Sequence, residues 1–216
     1  MKVNMLTVAF VLSLLVGWTA AAEEGFVPLS DGKTLDGWKQ LGGHAKYTVE
    51  DGVIVGSSVP NTSNSFLCTE KDYSDFILEY EFKVDPQLNS GVQIRSNSMP
   101  EYKSGCVHGY QVEIDPSDRA WTAGIYDEGR RGWLNTLAEN EAARKAFKQN
   151  EWNKVRVEAV GDSIKTWLND VPAADLKDSM TASGFIGLQV HGVGNRAEPL
   201  QVRWRNLRIK ELDASK

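Results

Sequence analysis

Histidine and cysteine are the scarcest chemistry-bearing residues in this chain, three and two among 216. Two cysteines are too few for a disulfide-scaffolded fold, and they fit none of the zinc spacings. Positive charge is also short: 24 Lys and Arg face 29 Asp and Glu, a net charge of −5. Binding a phosphate backbone needs a positive field, so nucleic acid is not expected as a partner. The sequence contains no Gly-x-Ser-x-Gly nucleophile elbow and no His-Glu-x-x-His metal helix. Gly192-Val193-Gly194 precedes no helical pattern, so it is no dinucleotide loop. No internal repeat recurs at a fixed period. What remains, 41% hydrophobic and 25% charged, is ordinary globular composition at a length that suits one domain.

Long apolar runs are absent too, with one exception. Met5 to Val16 is apolar apart from Thr7 and Ser13, follows the lone charge of Lys2, and leads to Ala20-Ala21-Ala22. A charged start, an apolar stretch and a small-residue cleavage site make a secretory signal peptide over residues 1–22. The stretch is shorter than the roughly 20 residues a membrane span needs. The expected product is exported, periplasmic or extracellular, begins near Glu23, and has no membrane attachment after cleavage. In such an oxidising compartment a Cys68–Cys106 bridge is permitted. Two separate buried thiols are the preferred alternative. Asn61-Thr62-Ser63 is a formal glycosylation sequon, meaningful only in a eukaryotic secretory host.

Period-two patterning dominates the rest. Phe76, Leu78, Tyr80, Phe82 and Val84 alternate with Ile77, Glu79, Glu81 and Lys83, as in a half-buried strand. Residues 152–169 read as a hairpin turning at Gly161-Asp162. Further strands are expected near 47–57, 66–69, 91–97, 109–115, 121–126, 184–191 and 200–210. Many short strands separated by turn residues predict a sandwich or barrel. One helix interrupts them: Thr136-Leu137-Ala138-Glu139 matches a capping box, and an apolar face continues to about Gln149. Its Phe147 is expected to pack on a sheet.

Three strands carry polar residues in phase. Gln93 and Arg95 oppose Val92 and Ile94; Gln111, Glu113 and Asp115 oppose Val112 and Ile114; Gln189 and His191 oppose Leu188 and Val190. Solvated strand faces usually carry Lys, Thr and Glu. Gathered amides, carboxylates, Arg and imidazole suit sugar hydroxyls better. Tyr126 and Trp133, in what reads as a Gly-rich loop, are candidates to line the same cleft. His44 reads as a turn residue, and His108 lies just before the acidic strand. The run Arg203, Arg205, Arg208 and Lys210 alternates with Trp204, Leu207 and Ile209 and reads as an exposed strand face.

Several segments together resemble the 3-keto-disaccharide hydrolase family, also called 3-keto-glucoside 1,2-lyase/3-keto-2-hydroxy-glucal hydratase. The opening signature is Phe26-Val27-Pro28-Leu29-Ser30-Asp31-Gly32-Lys33-Thr34-Leu35-Asp36-Gly37-Trp38. The likeness continues through Asn89 to Ser96, Gly109 to Asp115, Thr122 to Tyr126, Glu151-Trp152-Asn153 and Trp167-Leu168-Asn169. It closes with Gly184 to Gly192 and Arg205 to Leu212. It spans about residues 25–212. One departure is Asp170, where the family's hairpin usually has Gly. The resemblance implies a concanavalin A-like jelly-roll sandwich with its site on the concave sheet. It also implies an exported enzyme that cleaves 3-keto-glycosides, working downstream of a sugar 3-dehydrogenase.

The chemistry so implied assigns expected roles. A C3 ketone acidifies the C2 hydrogen, and its removal lets the C1 substituent leave by β-elimination; hydration of the resulting 3-keto-2-hydroxy-glucal follows. This needs a base at C2, positive charge or a metal at the C3 oxygen, and an acid at the leaving oxygen. Glu113 is the expected base, His191 its rival or the acid, and Arg95 the cation. Gln93, Gln111, Asp115, Gln189, Tyr126 and Trp133 are the expected substrate contacts. A divalent metal on His191 with Glu113 or Asp115 is compatible with the ligand types, though no spacing demands it. The alternatives are a non-catalytic carbohydrate-binding sandwich and a direct hydrolase pairing Glu113 with Asp115.

Overall fold

The computed structural model describes residues 25–212, so the expected export signal lies outside the described residues. In chain order the first strands are β1 (Val27–Pro28), β2 (Trp38–Gly42), β3 (Lys46–Glu50), β4 (Val53–Ser57) and β5 (Ser65–Thr69). Next come β6 (Phe76–Val84), β7 (Ser90–Asn97), β8 (His108–Ile114), β9 (Ile125–Glu128) and β10 (Gly132–Asn135). The helix α1 (Glu141–Ala146) follows, then β11 (Asn153–Val160), β12 (Ser163–Leu168), β13 (Val171–Lys177), β14 (Phe185–Val190) and β15 (Gln201–Glu211).

They form two antiparallel sheets. One runs β13-β12-β11-β6-β15-β4-β3, with β1 added against β15; the other runs β10-β9-β8-β7-β14-β5-β2. The chain passes between sheets repeatedly, for example from β6 to β7 and from β13 through β14 to β15. This is the jelly-roll sandwich that the family resemblance implied. Alternation places Leu78, Tyr80 and Phe82 of β6 against Val112 and Ile114 of β8 and Leu188 of β14 in one core. Each such side chain contributes roughly 1.5–3 kcal/mol by leaving water. With those residues facing inward, the alternate positions of β7, β8 and β14 must face out of the sandwich. That outer face of the seven-stranded sheet has two halves. One is a small apolar cluster of Phe66, Cys68, Val107 and Phe185, and the other is polar. Cys68 is buried within that cluster and Cys106 is half-buried; neither is bridged.

Three local expectations are corrected. The helix runs from Glu141 to Ala146 and does not start after Thr136: a turn closed by the Asn140 amide on the Leu137 carbonyl comes between them. Asn140 caps instead, its side chain accepting from the Ala143 amide at 3.1 Å. Phe147 does pack on the sheet, stacked on Phe82 at 6.3 Å. The strand expected at 121–126 begins only at Ile125, because Gly124 closes a turn back onto the Trp121 carbonyl. Tyr126 lies on β9 and Trp133 on β10, paired with each other and not in a loop. The β12–β13 turn keeps its geometry without the usual Gly, with Asn169 and Asp170 at φ of 49° and 67°. Asn and Asp tolerate this left-handed region better than most residues.

Candidate functional site

On the polar half, a hollow of about 300 Å³ is lined by Asn64, Asn89, Gln111, Glu113, Arg119, Tyr126, Glu128, Trp133 and His191. Five of these are sequence-predicted residues. Strand register explains the floor: Glu113 of β8 faces Gly91 of β7, which faces Gln189 of β14, and Gln111 faces Gln93. Gly91 is needed there, since a Cβ would come within 2.5 Å of the Gln111 side chain.

Glu113 is held from two sides. Asn89 Nδ2 donates to its Oε1 at 2.6 Å and Gln111 Nε2 to its Oε2 at 2.8 Å. Gln111 is oriented in turn by Gln93, whose Nε2 donates to Gln111 Oε1 at 2.6 Å while its Oε1 accepts from Ser96. Gln93 therefore lies beneath the hollow and positions Gln111. Burial pushes the Glu113 carboxyl up; its two amide donors oppose that but do not cancel it. Glu128 is also raised by burial, against the Asn64 amide and the nearby His191 imidazole. Gln189 is fully buried beside Glu128, whose carboxyl it helps to hold down, and among the described residues its amide makes no well-formed hydrogen bond. It lies on the polar side of the sheet, paired across from Gly91, but is not among the residues that line the hollow.

Arg95, the expected cation, is elsewhere. Its φ of 46° and the register shifts on both neighbouring strands mark a bulge that breaks the alternation. The guanidinium is 1% exposed and donates to Ser74 O, Gly161 O and Asp75 Oδ1 at 2.6, 2.7 and 2.9 Å. It ties the two sheets together at one end of the sandwich. Arg119 brings the positive charge to the hollow instead. It lies over the Trp121 and Trp133 rings at 4.8 and 5.0 Å, with Tyr126 edge-on to Trp133 at 5.3 Å. Asp115 anchors it, Arg119 Nε donating to Oδ2 at 2.7 Å, and also accepts from Ser117 and the Trp121 amide. Burial pushes the Asp115 carboxyl up, but these bonds outweigh it and hold it below the ordinary range. Asp115 therefore positions Arg119 and does not line the hollow.

His191 stands exposed at the rim, its Nδ1 2.8 Å from the Gly192 carbonyl. That carbonyl only accepts, so Nδ1 carries the proton and Nε2 remains for the ligand. Of the candidate metal ligands, Glu113 and His191 line the hollow together and Asp115 does not. Asp115 is committed to Ser117 and Arg119, and among the described residues no three His, Cys, Asp or Glu side chains converge as ligands. A larger hollow of about 470 Å³ lies on the other sheet, beside Phe26, Pro28 and Leu207. Its carboxylates Glu79 and Glu81 are already paired with Arg156, Arg208 and Arg205, so it offers no poised acid or base.

Asn64, Asn89, Arg119 and Glu128 were missed from the sequence. Glu128 carried a signal, two residues after Tyr126 in the same phase; the other three sit in turns, where no period applies.

The sequence matches the 3-keto-alpha-glucoside-1,2-lyase-like domain over residues 25–210. The chain belongs to that family. The match bears out the resemblance read from the motifs and makes this 3-keto-alpha-glucoside-1,2-lyase-like domain a carbohydrate-active one. No curated protein matches it. Solved structures share the fold. A candidate glycosyl hydrolase of Parabacteroides distasonis is 23% identical with a TM-score of 0.62, over 88% of this chain and 95% of that one. A Bacillus subtilis protein with a galectin-like fold is 14% identical, TM-score 0.60, over 86% and 94%. The carbohydrate binding module CBM66 of Bacillus subtilis is 18% identical, TM-score 0.54, over 81% and 96%.

Proposed function

We propose that this domain is an exported enzyme that cleaves glycosides already oxidised at C3, by elimination followed by hydration. The observation that carries the reading is Glu113: a buried carboxylate of raised pKa, fixed by two amides, in a hollow shared with a guanidinium. A raised pKa makes a carboxylate a stronger base for a carbon-bound proton, provided it is ionised at the working pH. The Glu113 carboxylate takes the C2 proton, and the electron pair left behind forms the enolate of the C3 ketone. Arg119 stabilises the negative oxygen, with the Trp121 and Trp133 faces keeping its guanidinium in place. The enolate then expels the C1 oxygen, which takes a proton from Nε2 of His191 in its doubly protonated form, Nδ1–H staying on the Gly192 carbonyl. Water adds its hydroxyl at C1 and gives its proton back to His191, while Glu113 returns a proton to C2, so the sum is hydrolysis and both groups are restored. Asn64 holds a hydroxyl at the wall of the hollow. The class of reaction that must supply this substrate is oxidation of the C3 alcohol by a separate dehydrogenase.

Heavy water tests the route. With a 3-keto-glucoside, product labelled at C2 above an enzyme-free control is expected, together with a transient conjugated glucal in the ultraviolet. The unoxidised glucoside should be inert. Cleavage without C2 label would overturn the elimination and leave direct hydrolysis, while binding without cleavage would leave a carbohydrate-binding module. Export is read by N-terminal sequencing of the protein secreted by its native host; a retained Met1 or Lys2 would count against it.

A further inference from the structure

A second hollow, of about 220 Å³, adjoins the first, and Asn89 and His191 line both. Its chemistry differs. The first holds the carboxylates of Glu113 and Glu128; the second has none, and its charged group is Arg196. Arg196 Nη1 donates to Gln87 Oε1 at 2.6 Å, which fixes the guanidinium at the wall. Its Nε is buried with no acceptor, and Arg196 makes no ion pair among the described residues. Leu88, Val193 and Leu200 supply an apolar surface beside it.

We propose that this second hollow is the leaving-group subsite, and that Arg196 makes it favour an aglycone bearing a carboxylate. The inference rests on the elimination reading. In that reaction C2 must meet Glu113 in the first hollow, so the bond broken at C1 lies toward the shared wall and the departing group leaves past His191. What receives it is a compartment with an apolar side for a ring face and an unneutralised guanidinium whose buried N–H has no acceptor. A carboxylate supplies that acceptor, in the paired geometry guanidinium groups prefer.

The test compares the 3-keto-glucosides of 4-hydroxyphenylacetate and of its methylamide, which share leaving-group acidity and differ in charge. The wild type should show kcat/KM about ten-fold higher for the acid at low salt, mostly through KM, and the gap should narrow as salt screens it. Arg196→Gln should bring the acid down to the level of the amide. Titration calorimetry with free 4-hydroxyphenylacetate gives a reading independent of turnover: heat with the wild type, little with the variant. Equal kcat/KM for the two substrates in the wild type, or a preference that survives Arg196→Gln, overturns the subsite while leaving elimination intact. Failure to cleave either compound, with Arg196-dependent binding retained, keeps the carboxylate selectivity and overturns elimination.

Discussion

Glu113 and Arg95 are both buried charged residues on the seven-stranded sheet, and their surroundings give them opposite jobs. Glu113 has amide donors beneath it and an open hollow in front. Each guanidinium nitrogen of Arg95 donates to the protein, to Ser74, Gly161 and Asp75. Glu113→Gln keeps shape and should lower kcat by about 10²–10⁴-fold with the fold intact, the usual range for a lost general base. Arg95→Met should instead unfold more easily, by about 3–5 kcal/mol, because it strands the Asp75 carboxylate and two carbonyls. Denaturant titration alongside turnover separates them; loss of activity without loss of stability in Arg95→Met would return that residue to the cleft. The contrast also explains what was legible in the sequence. Strict alternation from Gln93 to Arg95 put both on one face, and alternation is what a bulge destroys. A positive φ at a non-glycine leaves no compositional mark, so the bulge could not be foreseen. Gln111 and Glu113, which do lie at the hollow, sit where the pairing of β8 with β7 stays regular. Arg119 occupies a turn whose geometry depends on Asp115 and two tryptophans, a set that only tertiary packing assembles.

The elements around the hollow act as struts. α1 is short, and its work is to connect: Asn140 Nδ2 donates to the Pro172 and Ala173 carbonyls of β13, while Arg144 Nε donates to the Arg119 carbonyl. The helix thus ties the edge of one sheet to the turn that carries Arg119. Its cap is Asn140, so Asn140→Ala should cost about 1 kcal/mol and loosen that turn, whereas Thr136→Ala should be near neutral. Thermal melts of the two variants check this; an equal or larger loss at Thr136 would restore the earlier start. Strand existence was legible almost throughout because half-buried strands impose a period of two. Helix extent was not, because the capping-box pattern at Thr136 leads into a separate turn, in which the Asn140 amide donates to the Leu137 carbonyl, and the helix begins only after it. Four strands went unread, β1, β2, β10 and β13. Each is an edge strand carrying exposed or half-exposed residues, with too little alternation to announce itself.

Across the whole sandwich, two groups of carboxylates pull stability in opposite directions with pH. Glu79 on the eight-stranded sheet is one of the first group: burial pushes it up, but Arg208 and Arg156 outweigh that and hold it below its ordinary value of 4.5. Asp115 belongs with it, and so does Asp178, which Arg131 and Tyr110 bring down to about 2 against the push of burial. For these groups the unfolded chain takes up protons first as pH falls. Their stabilisation is complete above the unfolded values and is lost on acidification from about 4.5 toward 2. Glu113 and Glu128 form the second group, raised by burial. Here the unfolded chain releases protons first as pH rises, so stability is lost from about 4.5 upward through the raised folded pKa and then levels off. The double variant Glu113→Gln/Glu128→Gln removes the second effect and keeps the first. Its melting temperature should match the wild type near pH 4, exceed it at neutral pH, and share its collapse in stronger acid. A gap independent of pH would mean that the two carboxylates titrate alike in the folded and unfolded chains. A growing gap would measure a destabilisation that packing of the core gives no reason for and proton abstraction does, since a base made stronger by burial is one the fold must hold against its preference for water.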